Sequence, residues 1–186
     1  MRDEFKVEIV IPEKFSASNF WGLQKEYNAT WYSAVPTIHQ ILLIRADQDQ
    51  APKKSFRFIR SCSAALAPSV LVDLEERFGA PVLEAYGMTE ASLQMSSNPM
   101  PPEERKAGSV GKPTGVEINI MSMESMGDML ETNKIGEVVI KGENVTSGYH
   151  NNDDANKDSY VSGWFRTCLL YTSPSPRDVE ECRMPS

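Results

Sequence analysis

The sequence predicts an α/β fold in which a parallel sheet with crossover helices is followed by a β-rich portion. Between residues 5 and 107, short apolar runs with strand character alternate with helical patterns, as in sheets whose parallel strands are joined by helices. From residue 108 to residue 167, the apolar residues alternate or are β-branched, and loosely patterned stretches separate them. We therefore expect an α/β half, residues 5–107, and a β-rich portion, residues 108–167, of one domain.

The first elements are predicted from local patterns. Apolar and charged side chains alternate over residues 5–11, which predicts a strand that stops at Pro12. Residues 19–27 carry apolar side chains at spacings of three and four, which predicts a helix. Aromatic and β-branched residues over 29–35 then predict a buried strand that ends at Pro36.

The next elements complete the α/β half. A second helix is predicted from Thr37, and a third strand over residues 56–60. A helix over residues 68–78 begins with proline in its first turn, and Gly79 closes it. The apolar pair that follows at Val82 indicates a last buried strand.

The β-rich portion is expected to be antiparallel. Residues 115–121 and 136–141 read as strands, because their apolar side chains alternate or are branched. Residues 151–157 predict a short polar helix. Its charges are expected to form a solvated face.

Composition excludes several classes of protein. The net charge of -7 over 186 residues disfavours a nucleic-acid binder, which needs a basic face. No apolar run approaches the roughly 20 residues of a membrane helix, so we expect a soluble, intracellular protein without a membrane span. The three cysteines are too widely spaced for a disulfide framework or a zinc site. Only two histidines are present, which disfavours a Ser-His-Asp hydrolase.

One stretch, Tyr86-Gly87-Met88-Thr89-Glu90, combines three groups suited to a nucleotide and its metal. Tyr86 offers a flat face for a purine, and Gly87 permits a turn that a side chain would resist. Thr89 offers a hydroxyl for phosphate oxygens, and Glu90 a hard carboxylate for Mg²⁺. Taken alone, the stretch fits an ordinary loop with a helix cap equally well.

The surrounding motifs favour the nucleotide interpretation. The stretch resembles the adenine and Mg²⁺ loop of the adenylate-forming superfamily, which contains acyl-CoA synthetases, 4-coumarate-CoA ligases, firefly luciferases and peptide-synthetase adenylation domains. The further matching motifs, in the family's order, are residues 108–113, 136–138, 148–149 and 163–167. The resemblance implies an ATP-dependent ligase that activates a small carboxylic acid as an acyl-adenylate and transfers it to coenzyme A. Within the superfamily, this chain is most similar to the oxalate-CoA ligase branch. The resemblance also implies Mg²⁺ as the cofactor.

The resemblance also implies a role for each motif residue. Thr89 contacts phosphate oxygens and Glu90 holds Mg²⁺, so these two are the expected catalytic residues and Glu90 the expected metal ligand. The remaining expected nucleotide contacts are Ser63, Ala64, Ala65, Glu84, Ala85, Tyr86, Gly87 and Met88. His39 follows a segment similar to one beside the acyl pocket of relatives. The residues favour the simpler expectation, a histidine hydrogen-bonded on a helix surface, because nothing in the sequence supplies a partner that would tune it.

The chain departs from the family at three places. Cys62 and Ser63 replace glycines of the adenine bend, and Leu93 replaces a histidine common in the oxalate branch. An apolar residue there suits a small dicarboxylate poorly, so an apolar acyl substrate stays open. Thr167 is followed by Cys168 and leucine, where the family has glycine and the ribose-binding aspartate.

From Cys168 onward the sequence matches nothing in the family. We expect residues 168–186 to be a non-family, disordered tail, as a frameshift would produce. The family's phosphate loop, hinge and small C-terminal domain have no counterpart here, so the chain is expected to be a fragment that is inactive alone. A nucleotide-binding remnant without turnover is the alternative. Relatives imply a cytoplasmic or peroxisomal location.

Overall fold

The computed structural model describes residues 7–54, 56–131 and 134–172. The helices are α1 (Ala17–Glu26), α2 (Pro36–Arg45), α3 (Pro68–Phe78) and α4 (Asp153–Ser159). The strands are β1 (Trp31–Ala34), β2 (Phe58–Ser61), β3 (Val82–Tyr86), β4 (Ser96–Ser97), β5 (Lys112–Pro113), β6 (Glu117–Met121), β7 (Ile135–Lys141), β8 (Tyr160–Val161) and β9 (Trp164–Thr172). A short 3₁₀ helix covers Thr89–Ala91. Within these described residues, no helix is long and apolar enough to cross a membrane.

The first sheet has the strand order β1-β2-β3-β4-β5. The strands β1, β2 and β3 are parallel, with Ala34 beside Ser61 and Ser61 beside Glu84. Helices α2 and α3 are the crossovers between them, because parallel neighbours cannot be joined by a tight turn. The short strands β4 and β5 add antiparallel edges. The predicted parallel sheet with crossover helices is therefore confirmed, and β5 extends this sheet past residue 107.

The helices cover one face of the parallel strands. Ile59 of β2 is buried with Leu42 of α2, Leu74 and Phe78 of α3 in the first hydrophobic core. Since side chains alternate along a strand, Arg60 lies on the opposite face from Ile59. Gly79 ends α3 with a left-handed backbone (φ 63°), as the sequence predicted.

The second sheet is antiparallel, with the order β6-β7-β9-β8. Its inner face forms a second hydrophobic core. Its buried members include Tyr86, Met95 and Phe165. The antiparallel character of the β-rich portion is confirmed, and Tyr86 connects it to the first sheet.

The predicted strand over residues 5–11 is wrong where the structure describes it. Residues 7–11 are outside regular structure, and Ile9 and Ile11 are largely exposed. An alternating pattern supplies the side chains of a strand but not its hydrogen-bonding neighbour. Residues 5 and 6 lie outside the described residues.

The expected disorder from Cys168 onward is not what the structure has over residues 168–172. These residues complete β9, where Tyr171 pairs with Gly136 and Thr172 with Ile135. The buried Glu137 anchors this end, because it accepts the Cys168 N–H at 2.9 Å and pairs with Arg166 at 2.8 Å. Residues 173–186 lie outside the described residues.

Candidate functional site

The site lies where β2 and β3 end. Both strands are parallel neighbours, so their carboxyl ends meet at one edge of the sheet, which is where open α/β sheets bind ligands. The bend at residues 62–67 follows β2, and the loop at residues 87–91 follows β3. The fold therefore brings together the two segments in which the sequence predicted nucleotide contacts.

Glu84 connects these segments from within the protein. Its side chain is 3% exposed, and its Oε2 accepts the N–H of Gly108 at 3.0 Å. Leu66, in the bend, places its N–H near enough to the same carboxylate to favour the charged form. Burial raises the pKa of Glu84, and the two N–H donors partly offset that rise. Glu84, expected at the edge of the adenine, instead holds three backbone segments in place.

The bend presents its small residues to solvent. Ser63, Ala64 and Ala65 are all exposed, while Leu66 is buried in the first core. Ser63 has a left-handed backbone, with φ 72°. Such a conformation favours glycine, which accounts for the glycine that relatives carry at this place. A flat ligand can approach the backbone of this bend closely.

Tyr86 and Ala85 are buried, contrary to the expectation of an open aromatic face. Tyr86 is 8% exposed and packs in the second core with Met95 and Phe165. Ala85 is also buried, at the pairing of β3 with β4. Strand β4 pairs beside both residues, and side chains of the second core cover Tyr86. A ligand therefore reaches only a small part of the Tyr86 surface.

Gly87 is required by the turn that follows β3. A Cβ at this position would lie 1.4 Å from the carbonyl oxygen of Leu93. The carbonyl of Met88 accepts the N–H groups of both Ala91 and Leu93, which draws the loop into this contact. The sequence prediction of a turn that excludes side chains is confirmed, and the cause is close backbone approach.

Thr89 and Glu90 lie at the exposed end of this loop. Thr89 is exposed and begins the 3₁₀ helix, whereas Glu90 is half-buried. The hydroxyl of Tyr149 donates to Glu90 Oε1 at 3.0 Å, and the N–H of Thr146 donates to the Glu90 carbonyl at 2.6 Å. Asn144 also contacts the loop, because its side-chain N–H donates to the carbonyl of Ala91 at 3.0 Å. Residues 144–149, which follow β7 of the second sheet, thus position the predicted metal ligand Glu90.

Tyr149 is a site residue whose role the sequence reasoning missed. It appeared there only as part of a matching motif. Burial of the side chain raises the pKa of Tyr149. The hydrogen bond to Glu90 and the negative charge of Glu90 raise this pKa further. The hydroxyl therefore remains a proton donor to Glu90 at neutral pH.

The carboxylate of Glu90 fits a magnesium ion that also binds phosphate. In the described part of the chain, Oε2 of Glu90 makes no hydrogen bond, which leaves it for a cation. No group of three or more His, Cys, Asp or Glu side chains among the described residues is placed to hold a metal ion. Mg²⁺ commonly takes one or two carboxylates, with waters and substrate phosphates as its other ligands.

The segment after Thr167 lacks the expected ribose carboxylate. Thr167 is buried, and its hydroxyl donates to the Val138 carbonyl at 2.9 Å. Cys168 has a left-handed backbone, with φ 59°, at the place where relatives have glycine. Leu169 is 43% exposed where the family has aspartate.

A cavity of about 530 Å³ lies on the face of the first sheet that the helices leave uncovered. Its lining includes Trp31, Ser33, Phe58, Arg60, Leu93 and Gln94. None of the sequence-predicted nucleotide contacts lines it. Sequence reasoning missed Arg60, although a charged residue between Ile59 and Ser61 in a buried strand was a usable signal.

His39 is buried, so its expected place on a helix surface is wrong. The imidazole is fully buried on α2, and its Nδ1 lies 3.0 Å from the Tyr32 hydroxyl. Burial lowers the pKa of His39 to about 4, so the ring is neutral at physiological pH. No described residue hydrogen-bonds its Nε2. The partner comes from β1, which local helical spacing did not reveal.

Comparison with known proteins gives consistent relatives. A family model described as "AMP-binding enzyme" matches residues 6–150. The chain is 58% identical to an oxalate–CoA ligase of Arabidopsis thaliana over 156 residues, 83% of this chain and 30% of that protein. It is 48% identical to an oxalate–CoA ligase of Saccharomyces cerevisiae over 161 residues, 86% of this chain and 29% of that protein.

The fold has solved counterparts. The O-succinylbenzoate coenzyme A synthetase of Bacillus subtilis, in complex with ATP and magnesium ion, superposes with a TM-score of 0.77 at 29% identity. The match covers 91% of this chain and 34% of that one. The chain thus spans about 30% of the length of the curated relatives that it matches.

Proposed function

Since this chain belongs to the AMP-binding enzyme family, we propose that it is part of an ATP-dependent carboxylic acid–CoA ligase. In this reaction the carboxylate of the acid attacks the α-phosphorus of ATP, which releases pyrophosphate and gives an acyl-adenylate. The thiol of coenzyme A then displaces AMP and forms the thioester. The activity is proposed for the complete protein. Judged by the length of its relatives, the chain forms about 30% of that protein.

The observation that carries this proposal is the buried carboxylate of Glu84, which accepts the Gly108 N–H at 3.0 Å and lies beside the Leu66 N–H. It joins the bend at Leu66, the strand β3 and the turn at Gly108 into one unit at the ligand-binding edge of the sheet. Phosphoryl chemistry depends mainly on positioning and charge neutralisation. A rigid edge of this kind suits that requirement, because each loop is fixed before the ligand arrives.

The bend supplies the nucleotide contacts in this proposal. The exposed backbone of Ser63, Ala64 and Ala65 lies along the adenine, and the accessible edge of Tyr86 limits it on the other side. Small side chains allow this close approach. The Thr89 hydroxyl, exposed at the start of the 3₁₀ helix, donates to a phosphate oxygen.

Glu90 is the proposed magnesium ligand. When bound, Mg²⁺ neutralises charge on the phosphates as pyrophosphate leaves. Tyr149 orients the carboxylate by donating to Oε1, and Oε2 would be the oxygen that holds the ion. The N–H of Thr146 fixes the Glu90 backbone, which limits loop movement.

The acid is proposed from likeness to the oxalate–CoA ligases of Arabidopsis thaliana and Saccharomyces cerevisiae. Oxalate carries two carboxylates, one to react and one to be recognised. Leu93 offers no donor for the second carboxylate and is 60% exposed. A donor for that group has to come from another element, or the substrate is a more apolar acid.

Calorimetric titration of the chain with AMP and with Mg·ATP tests the nucleotide site. We expect AMP to bind, and the Glu90→Gln variant to lose the magnesium dependence of ATP affinity while keeping AMP affinity. Pyrophosphate release by the complete protein, with oxalate, medium-chain and aromatic acids, then tests the reaction. AMP affinity without adenylate formation favours a binding module without turnover, and absence of AMP binding contradicts the site itself.

A further inference from the structure

Arg60 places a positive charge in the cavity on the uncovered face of the first sheet. Its Nε donates to Gln94 Oε1 at 3.2 Å, and its Nη1 lies 3.1 Å from Ser33 Oγ and 3.1 Å from Cys62 Sγ. All three partners are uncharged. Among the described residues, no carboxylate forms an ion pair with Arg60. The guanidinium is therefore held in place without being neutralised.

One part of this guanidinium remains for a ligand. A guanidinium has five N–H donors, of which Nη2 carries two. In the described part of the chain, Nη2 makes no hydrogen bond. Gln94, Ser33 and Cys62 fix the other side of the group, so the orientation of Nη2 is set before an anion arrives.

The rest of the cavity is uncharged and partly aromatic. Trp31 and Phe58 stack with ring centroids 5.2 Å apart, and Leu93 contributes an exposed apolar side chain. Arg60 is the only charged residue among those that line the cavity. Apolar walls lower the local dielectric constant, so the attraction of Arg60 for an anion is stronger here than in open water. Such a cavity suits an acid with a short carbon body and an anionic end.

The cavity adjoins the proposed reaction site. Leu93 and Gln94 line it, and they follow Glu90 by three and four residues, directly after the loop at residues 87–91. Arg60 itself precedes the bend that is proposed to bind adenine. An acid that reacts at the loop can therefore extend its other end toward β2.

We propose that Arg60 is a specificity-determining residue, which binds the second anionic group of a short-chain dicarboxylic acid substrate. The inference rests on the proposed ligase function and specifies its substrate class. The donor that Leu93 does not supply comes from β2, and Leu93 packs against the carbon body of the acid. A cavity of about 530 Å³ has room for several carbons between the two carboxylates.

The test is calorimetric titration of the purified chain with glutarate and with valerate, which share five carbons but differ by one carboxylate. We expect the wild type to prefer glutarate, and Arg60→Met to weaken glutarate about ten- to hundredfold while leaving valerate within about twofold. Arg60→Lys keeps the charge and is expected to retain part of the preference. Arg57→Met is the matched control, since Arg57 is exposed and does not line the cavity.

Each outcome decides the inference. Equal affinity of the wild type for the two acids overturns it, as does a preference that Arg60→Met leaves unchanged. AMP affinity, measured in the same samples, separates this result from the proposed function. Arg60-dependent glutarate binding without AMP binding retains the anion site and contradicts the ligase. AMP binding without Arg60-dependent glutarate binding retains the proposed ligase function and contradicts the anion site at Arg60.

Discussion

The hydroxyl of Tyr149 donates a hydrogen bond to Oε1 of Glu90 at 3.0 Å, although 59 residues separate the two in the chain. Glu90 belongs to the loop after the parallel strands, whereas Tyr149 follows the antiparallel strand β7. The proposed magnesium ligand is thus oriented by the other half of the molecule. Its function depends on both sheets being folded together.

Removing the Tyr149 hydroxyl is expected to weaken the metal site without destroying it. Tyr149→Phe leaves Glu90 free to rotate, and we expect Mg·ATP affinity to fall about three- to tenfold, the value of one hydrogen bond. Calorimetric titration measures it, with Tyr27→Phe on exposed surface as the control. Equal Mg·ATP affinity of wild type and Tyr149→Phe would refute the orienting role.

Glu84→Ala is expected to cost both stability and nucleotide affinity. The variant leaves the N–H of Gly108 without its acceptor and removes the carboxylate beside the Leu66 N–H, at a cost of about 1–3 kcal/mol in the free energy of unfolding. Urea denaturation measures this, and AMP titration of the folded variant measures the loss at the bend. Glu117→Ala, at an exposed strand position, is the control. A variant of normal stability contradicts the connecting role of Glu84.

Gly87→Ala is expected to prevent the native loop. The new methyl would overlap the Leu93 carbonyl, whose oxygen lies 1.4 Å from the Cβ position, so backbone must move. We expect a loss above about 3 kcal/mol or failure to fold. Gly115→Ala is the comparison, because its φ of 80° is strained but no atom lies within 4 Å of its Cβ position. That variant is expected to lose only about 1–2 kcal/mol, and similar losses in both would contradict the steric argument.

His39 is expected to make the protein acid-sensitive. The unfolded chain takes up a proton near pH 6.5, whereas the folded His39 stays neutral until about pH 4. Its contribution is therefore complete above pH 6.5 and is lost as the pH falls toward 4, by on the order of 3 kcal/mol. Urea denaturation between pH 7 and pH 4 measures the slope. His39→Gln, which cannot ionise, is expected to flatten it, and an unchanged slope would assign the effect to other groups.

Restoring the family's residues after Thr167 is expected to increase nucleotide affinity. Cys168→Gly with Leu169→Asp relieves the left-handed position and supplies a carboxylate for the two ribose hydroxyls. We expect AMP affinity to rise about tenfold. 2′,3′-Dideoxy-AMP lacks both hydroxyls, so its affinity should stay the same. An equal rise for both nucleotides would show that the gain is not ribose recognition.

Local patterns were sufficient for elements whose boundaries depend on their own residues. Helix α3 was predicted at its observed bounds, because Pro68 and Gly79 act within single turns. The loop after β3 was predicted because Gly87 and Glu90 form a compact motif. Both halves of the architecture followed from the order and alternation of these elements.

Features that depend on distant residues were missed. The burial of Tyr86 results from the second hydrophobic core, whose strands β6, β7 and β9 come later in the chain. His39 gains its partner Tyr32 from a neighbouring strand, and the tail at Cys168 is ordered through Glu137 of β7. Residues 7–11 show the reverse case, in which a good strand pattern has no neighbour in the described chain.

Strand β2 has a consequence for how this protein can change over evolutionary time. Its side chains alternate, so Ile59 packs under the helices while Phe58 and Arg60 line the cavity. Substitutions at positions 58 and 60 can thus alter ligand preference while the helix-covered core remains intact. One face of this four-residue strand therefore affects ligand selectivity, whereas the other affects folding.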